Sequence, residues 1–247
     1  MEGLTGLSII FIALCYGAFS LFLVAFLAKV YGYAVTPSPL KIPTTPAPTT
    51  SLGVAGRMAG EVLFFTSLFK GNKWTWLGGY LFHLALAAVL LRHLRYFLDP
   101  VPLPVELMTY PGLEPGVWAG VVMIAALGYL FIRRLWVDRV KYISLFADYF
   151  ALTLIGLIGI TGALMKFFIR TDVEAVKEFT LGLATLHPAN IPPDPMFIIH
   201  LLLVLALVVY FPFSKLMHMG AIFFAPTRTQ VDDCRETRHV NPWAKEL

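Results

Sequence analysis

Trp74–Leu98 reads WTWLGGYLFHLALAAVLLRHLRYFL, and Met196–Phe224 reads MFIIHLLLVLALVVYFPFSKLMHMGAIFF. Each is a nearly unbroken apolar run, long enough to cross a hydrocarbon core, which takes roughly 20 residues of helix. Each also carries two histidines, His83 and His93 in the first and His200 and His218 in the second. A spacing of ten residues is about 2.8 helical turns and one of eighteen about five, so both imidazoles of a run fall on one side of its helix. Two such helices running antiparallel set His83 opposite His218 and His93 opposite His200.

Composition supports this membrane reading. The chain is 58% hydrophobic and 14% charged, with a mean hydropathy of +0.74, outside the balance of soluble domains. Three further apolar runs, Leu7–Val30, Gly116–Trp136 and Ile143–Ile169, complete an all-α bundle of five transmembrane helices over residues 1–225, followed by a tail, 226–247. Continuous runs argue against a β-barrel, whose strands are short and alternating. No internal repeat of the transporter kind is visible. Glu2 precedes the first run and no small-residue cleavage site follows it, so it reads as a retained helix rather than a signal peptide.

Lysine and arginine counts orient the bundle. With the N-terminus outside and the C-terminus cytoplasmic, 14 cations, from Lys29 to Lys245, fall inside. Five remain outside: Arg92, Arg95, Lys166, Arg170 and Lys177. This is the positive-inside asymmetry of a multi-pass protein of the cytoplasmic membrane. The net charge of +4 then reflects topology and does not point to nucleic acid.

The cytoplasmic stretch before the second helix has two parts. Residues 34–56 include TPSPLKIPTTPAPTT, whose five prolines (Pro37, Pro39, Pro43, Pro46 and Pro48) predict an extended strap suited to docking a partner. Residues 57–73 place Met58, Val62, Phe65 and Phe69 on one side, next to Lys70 and Lys73, the pattern of a helix lying on the membrane surface among lipid headgroups.

Depth now pairs the histidines. His83 and His218 lie toward the inner leaflet, His93 and His200 toward the outer. Neutral imidazole is a strong axial ligand of haem iron, and two matched pairs suit two bis-histidine b haems engaged in electron transfer. The rises differ, about 15 Å against about 27 Å, a mismatch that tilted haems and a kink at Pro212 are expected to absorb. Arg92, Arg95 and Lys166 are candidate partners for haem propionates, since charge within a membrane is costly when unpaired; snorkelling to headgroups is their other reading. Asp99, Glu106 and Glu114 are nearby acid–base groups for a quinol losing protons, or plain loop charges. His187 and His239 read as surface residues. Cys15 and Cys234 are too few for an iron–sulfur cluster, which takes four, so any cluster belongs to a partner. A histidine relay for cation or proton transport, and an anchor without cofactor, are the competing classes.

The two spacings on the second and fifth of five helices resemble the membrane cytochrome b (gamma) subunit of respiratory nitrate reductase. The strap YGYAVTPSPLKIPTTPAPTT, the stretches FFTSLFKGNKWTW and FHLALAAVLLRHLRYF, and the tail FFAPTRTQVDDCRETRHVNPW look more like the DsrM branch, from the DsrMKJOP complex of dissimilatory sulfur metabolism. The likeness runs from about Tyr31 to Trp243. It implies two haems b, on His83 with His218 and on His93 with His200, and exchange of electrons between menaquinol or menaquinone and a cytoplasmic iron–sulfur subunit like DsrK, alongside the other DsrMKJOP subunits. A nitrate or heterodisulfide reductase gamma subunit is the nearest alternative. One departure stands out: the nitrate reductase subunit has a lysine after its second helix at the quinol site, and Asp99–Gly116 contains none.

Overall fold

The computed structural model describes residues 3–240. Glu2, Lys245 and Trp243 lie outside the described residues. Twelve helices follow in chain order among those described: α1 (Gly6–Val35), α2 (Ser51–Phe64), α3 (Thr66–Gly71), α4 (Lys73–His93), α5 (Leu103–Leu107), α6 (Pro115–Trp136), α7 (Asp138–Tyr142), α8 (Phe146–Leu164), α9 (Val173–Ala184), α10 (Pro195–Tyr210), α11 (His218–Ala221) and α12 (Pro226–Thr229). The segments built on α1, α4, α6, α8 and α10 are long and apolar enough to cross a membrane. Their apolar side chains face outward in number, among them Ile10, Val24, Leu84 and Leu90, as lipid requires and water penalises.

The chain divides into two compact units, Met1–Leu21 with Leu77–Tyr210, and Phe22–Trp76 with Phe211–Leu247. In the first, α8 packs against both α6 and α10. Phe82 and Ala85 of α4 share a core with Met123, Ala126 and Leu127 of α6. Close approach there requires Gly78, where a Cβ would sit 2.6 Å from the Tyr129 ring and 2.9 Å from Leu130 Cδ2. Helices in a membrane pack through such small residues because lipid offers no hydrophobic drive to bring them together.

Helix α9 lies between the fourth and fifth apolar runs, where hydropathy marks no span; Asp172 caps it by accepting from the amides of Glu174 and Ala175, and it buries Val176 and Phe179 against Phe11, Ile191 and Phe197. The following loop is fastened by Asn190, whose side-chain oxygen accepts from the Thr5 amide and the Ser8 hydroxyl, both at 2.9 Å.

In the second unit the proline strap is a folded part. Thr44 N–H donates to Thr227 O (3.0 Å) and Asp232 N–H to Pro48 O (2.8 Å). Gln230 accepts from Ile42 N–H (2.7 Å) and donates to Leu40 O (2.9 Å), and Lys41 pairs with Asp233 at 2.8 Å. Helix α2 starts at Ser51, earlier than residue 57, because the Thr50 hydroxyl accepts from Gly53 N–H and caps it. The expected 57–73 helix is also interrupted, at Phe65, whose φ of 52° is left-handed. The extended strap is therefore 36–50, since α1 continues to Val35.

The fifth apolar run is corrected too. It does not form one helix to Phe224: α10 stops at Tyr210, tight turns cover Phe211–Phe213 and Lys215–Met217, and His218 opens a separate short helix. Pro212 has no N–H and its ring clashes with the carbonyl four residues back, so the helix ends rather than bends. The same-side argument for His200 and His218 therefore no longer follows from helical periodicity.

Candidate functional site

His93 closes α4 and His200 lies on α10, and the two imidazoles are within electrostatic range of each other. Both belong to the first unit, as does His83. His218 belongs to the second.

Hydrogen bonds settle the state of the rings. His83 Nδ1 lies 2.7 Å from Gly79 O and His93 Nδ1 2.7 Å from Val89 O, each one turn back along α4. His218 Nδ1 lies 2.9 Å from Lys215 O. A carbonyl oxygen only accepts, so Nδ1 carries the proton in all three. His200 reaches the same state by another route. Its Nδ1 is 2.8 Å from Thr161 Oγ1 on α8, and that hydroxyl is directed at the carbonyls of Leu157 and Ile158, at 2.9 and 3.0 Å. With its own hydrogen so used, the Thr161 oxygen accepts from His200. Each ring is thus oriented through Nδ1, and in a neutral imidazole with that hydrogen on Nδ1 the lone pair that can bind a metal sits on Nε2. The exposed His187 also donates to a carbonyl, Thr185 O at 2.7 Å, so the pattern marks competence alone; placement in an apolar span sets His83, His93 and His200 apart, while His218 lies in α11, beyond the fifth span.

The surroundings fit a haem. On α8, Gly162 lies alongside the His200 ring, whose Cε1 would be in ordinary van der Waals contact, 3.5 Å, with a Cβ there. Arg92, beside His93, has a buried Nε with no hydrogen-bond partner, a donor of the kind a propionate satisfies. Gly116 admits that side chain: a Cβ would fall 2.5 Å from Arg92 Cδ and 2.9 Å from Met108 O. Arg95 stacks over the Tyr96 ring, 4.9 Å from its centroid, and Tyr96 meets the His93 ring edge to face at 5.9 Å. Lys166, in the π-turn Met165–Ile169 that ends α8, already donates to Glu114 at 2.7 Å. That hydrogen bond, with the positive charge of Lys166 and of Arg92, holds the Glu114 carboxyl below its usual range.

Among the described residues no group of three or more His, Cys, Asp or Glu is gathered to hold a bare metal ion. Pairs of imidazoles suffice only where a porphyrin provides the other four nitrogens.

Residues 65–232 match the family described as Nitrate reductase gamma subunit. The chain belongs to that family. The matched gamma-subunit segment takes in His83, His93, His200 and His218 and leaves out α1 and the strap. The chain is also 38% identical over 269 residues to the Hdr-like menaquinol oxidoreductase cytochrome b-like subunit of Archaeoglobus fulgidus, covering 92% of this chain and 81% of that one. It is 32% identical over 280 residues to the protein of the same name from Archaeoglobus profundus, covering 95% and 82%. Gamma-subunit membership and five apolar helices make this a multi-pass membrane protein.

Thr161 and Tyr96 are the site residues that reading the sequence missed. The available signal was slight: one hydroxyl in the apolar run IGLIGITGAL, and a tyrosine three positions after His93.

Proposed function

We propose that this chain is the membrane cytochrome b subunit of a menaquinol oxidoreductase complex, holding one b haem on His93 and His200 and a second on His83 and His218. The observation that carries the reading is the hydrogen-bond pattern: each of the four imidazoles places Nδ1 within hydrogen-bond distance of an oxygen acceptor, which orients the ring and, in its neutral form, puts the ligating lone pair on Nε2. The menaquinol oxidoreductase names of its relatives and the gamma-subunit family support it; a histidine relay for ions finds no such support. When bound, haem supplies a one-electron couple, and two imidazole ligands leave no axial vacancy for oxygen.

In this reading the N-terminus is outside, Arg92 and Arg95 meet propionates near His93, and Lys166 serves that end through Glu114. The chain connects menaquinol on the outer side of the cytoplasmic membrane with an iron–sulfur subunit, DsrK-like or Hdr-like, on the inner side. The strap 36–50 and the tail hydrogen-bonded to it form the docking platform. Membership of the DsrM branch and a role in dissimilatory sulfur metabolism belong to the same proposal.

A pyridine haemochrome assay on the purified chain tests it. Two b haems per chain are expected, with His93→Ala and His200→Ala each removing the same one, and His83→Ala and His218→Ala the other. A folded, colourless preparation overturns the reading, and loss of the same haem from His83→Ala and His200→Ala overturns the pairing.

A further inference from the structure

At the end of the first unit that carries His93, a cleft of about 420 Å³ is lined by Arg95, Tyr96, Val101, Glu106, Thr109, Val173 and Lys177. One wall, Tyr96, is also the ring packed edge to face on the His93 imidazole. The cleft therefore reaches a candidate iron ligand across a single aromatic side chain.

Three carboxylates follow α4 at this end, and the fold separates them. Asp99 pairs with Lys177 at 3.2 Å. Glu114 pairs with Lys166 at 2.7 Å. Glu106 lines the cleft, with no side-chain hydrogen bond or ion pair among the described residues. Helix α5 holds it there: Val105 is buried, and Glu106 N–H donates to Pro102 O at 3.1 Å. Oxidation of a quinol to a quinone removes two electrons and two protons, so a site that oxidises it needs a proton acceptor at the hydroxyl as well as an electron acceptor nearby.

Resting on the menaquinol reading above, we infer that the cleft binds the quinol ring and that the Glu106 carboxylate is the base that accepts a hydroxyl proton. In balance, the quinol would lose two electrons, one at a time, to the haem that His93 and His200 would hold, each passed on to the second haem and the iron–sulfur partner of the proposed function before the next arrives. One of its protons passes to Glu106 and on to solvent through the open mouth, and the second is released to solvent. Arg95, Lys177, Thr109 and Tyr96 line the same cleft as the carboxylate and make up the rest of its polar lining. No lysine of the 99–116 loop is needed, because Lys177 arrives from α9, far along the chain.

The test uses the full chain, haem-loaded in vesicles. Menadiol serves as donor, and the fluorescent quinol analogue 2-heptyl-4-hydroxyquinoline N-oxide as binding probe. Glu106→Gln is expected to bind the analogue as the wild type does and to keep both haem spectra. Its haem reduction should be slower by about 100-fold or more, the usual contribution of a positioned base. Glu174→Gln, on the outer turn of α9, is the control that leaves the rate unchanged. Wild-type rates in Glu106→Gln overturn the proton role, and so does a variant that no longer binds the analogue, which makes Glu106 architectural. If menadiol fails to reduce the wild-type haem, the quinol reading itself falls.

Discussion

The state of His200 is set by a hydroxyl on a different helix. Thr161 is one of the few buried polar side chains in the molecule, and its hydrogen is taken by its own helix, so its oxygen serves as an acceptor for the imidazole N–H. Thr161→Val removes that acceptor at nearly constant volume and leaves a buried N–H unmet. Outer-shell partners of this kind change metal affinity by about 10- to 100-fold. Haem titration of the variant should show that loss at the His93 and His200 site and an unchanged second haem; equal affinity at both would remove Thr161 from the site. His83 and His93 were legible as a spacing because both lie on α4 and helical periodicity is a local property; the His200 to His218 spacing was not, because α10 ends at Tyr210. Nor were the tautomers of the four rings legible, because two acceptors lie one turn back in the backbone, one in a tight turn and one on α8.

At the scale of elements, composition locates the membrane helices well and their ends less well. All five apolar runs became helices, since twenty apolar residues have few other ways to satisfy their backbones in lipid. The fifth ended early, at Tyr210 ahead of Pro212, and α9 formed between two apolar runs, where hydropathy marks no span. An N-cap and a buried Phe179 outweigh a weak helical signature. Helix contacts make a direct prediction. Gly78→Ala drives a methyl into the Tyr129 ring and Leu130, an overpacking that costs about 1–3 kcal/mol. Thermal unfolding in detergent should show a lower midpoint. Gly128→Ala, whose methyl meets nothing, should hold or slightly raise it, because alanine favours helix by up to about 1 kcal/mol over glycine. Equal midpoints for both variants would mean that α4 and α6 do not pack as described.

For the whole molecule, the strap, α2 and the tail depend on one buried carboxylate. Burial pushes the Glu61 carboxyl up, but hydrogen bonds from the Ser67 hydroxyl and amide and from Thr66, with the Arg228 guanidinium 3.6 Å away, hold it below the usual range. The folded value lies under the unfolded one. The stabilisation is therefore complete above the ordinary glutamate value of about 4.3 and disappears as pH falls through the lower native value. Amide exchange at Thr44 and Asp232, corrected for intrinsic rates, should accelerate in wild type between about pH 5 and pH 3. Glu61→Gln should be looser already at neutral pH, by about 1–3 kcal/mol for breaking a buried hydrogen-bonded charge, with a flatter pH response. An unchanged profile in the variant would show that the strap is held without this carboxylate.

Length and hydropathy were enough to establish a membrane protein with five spanning helices, and the ten-residue spacing put His83 and His93 on one helix, because apolar runs and helical phase are properties of neighbouring residues. They could not select Glu106 from three loop carboxylates, supply Lys177 to a cleft beside Tyr96, or tie a proline strap to a tail more than 180 residues away. Those depend on which ion pairs and hydrogen bonds form once distant segments meet, and such partnerships have no local signature.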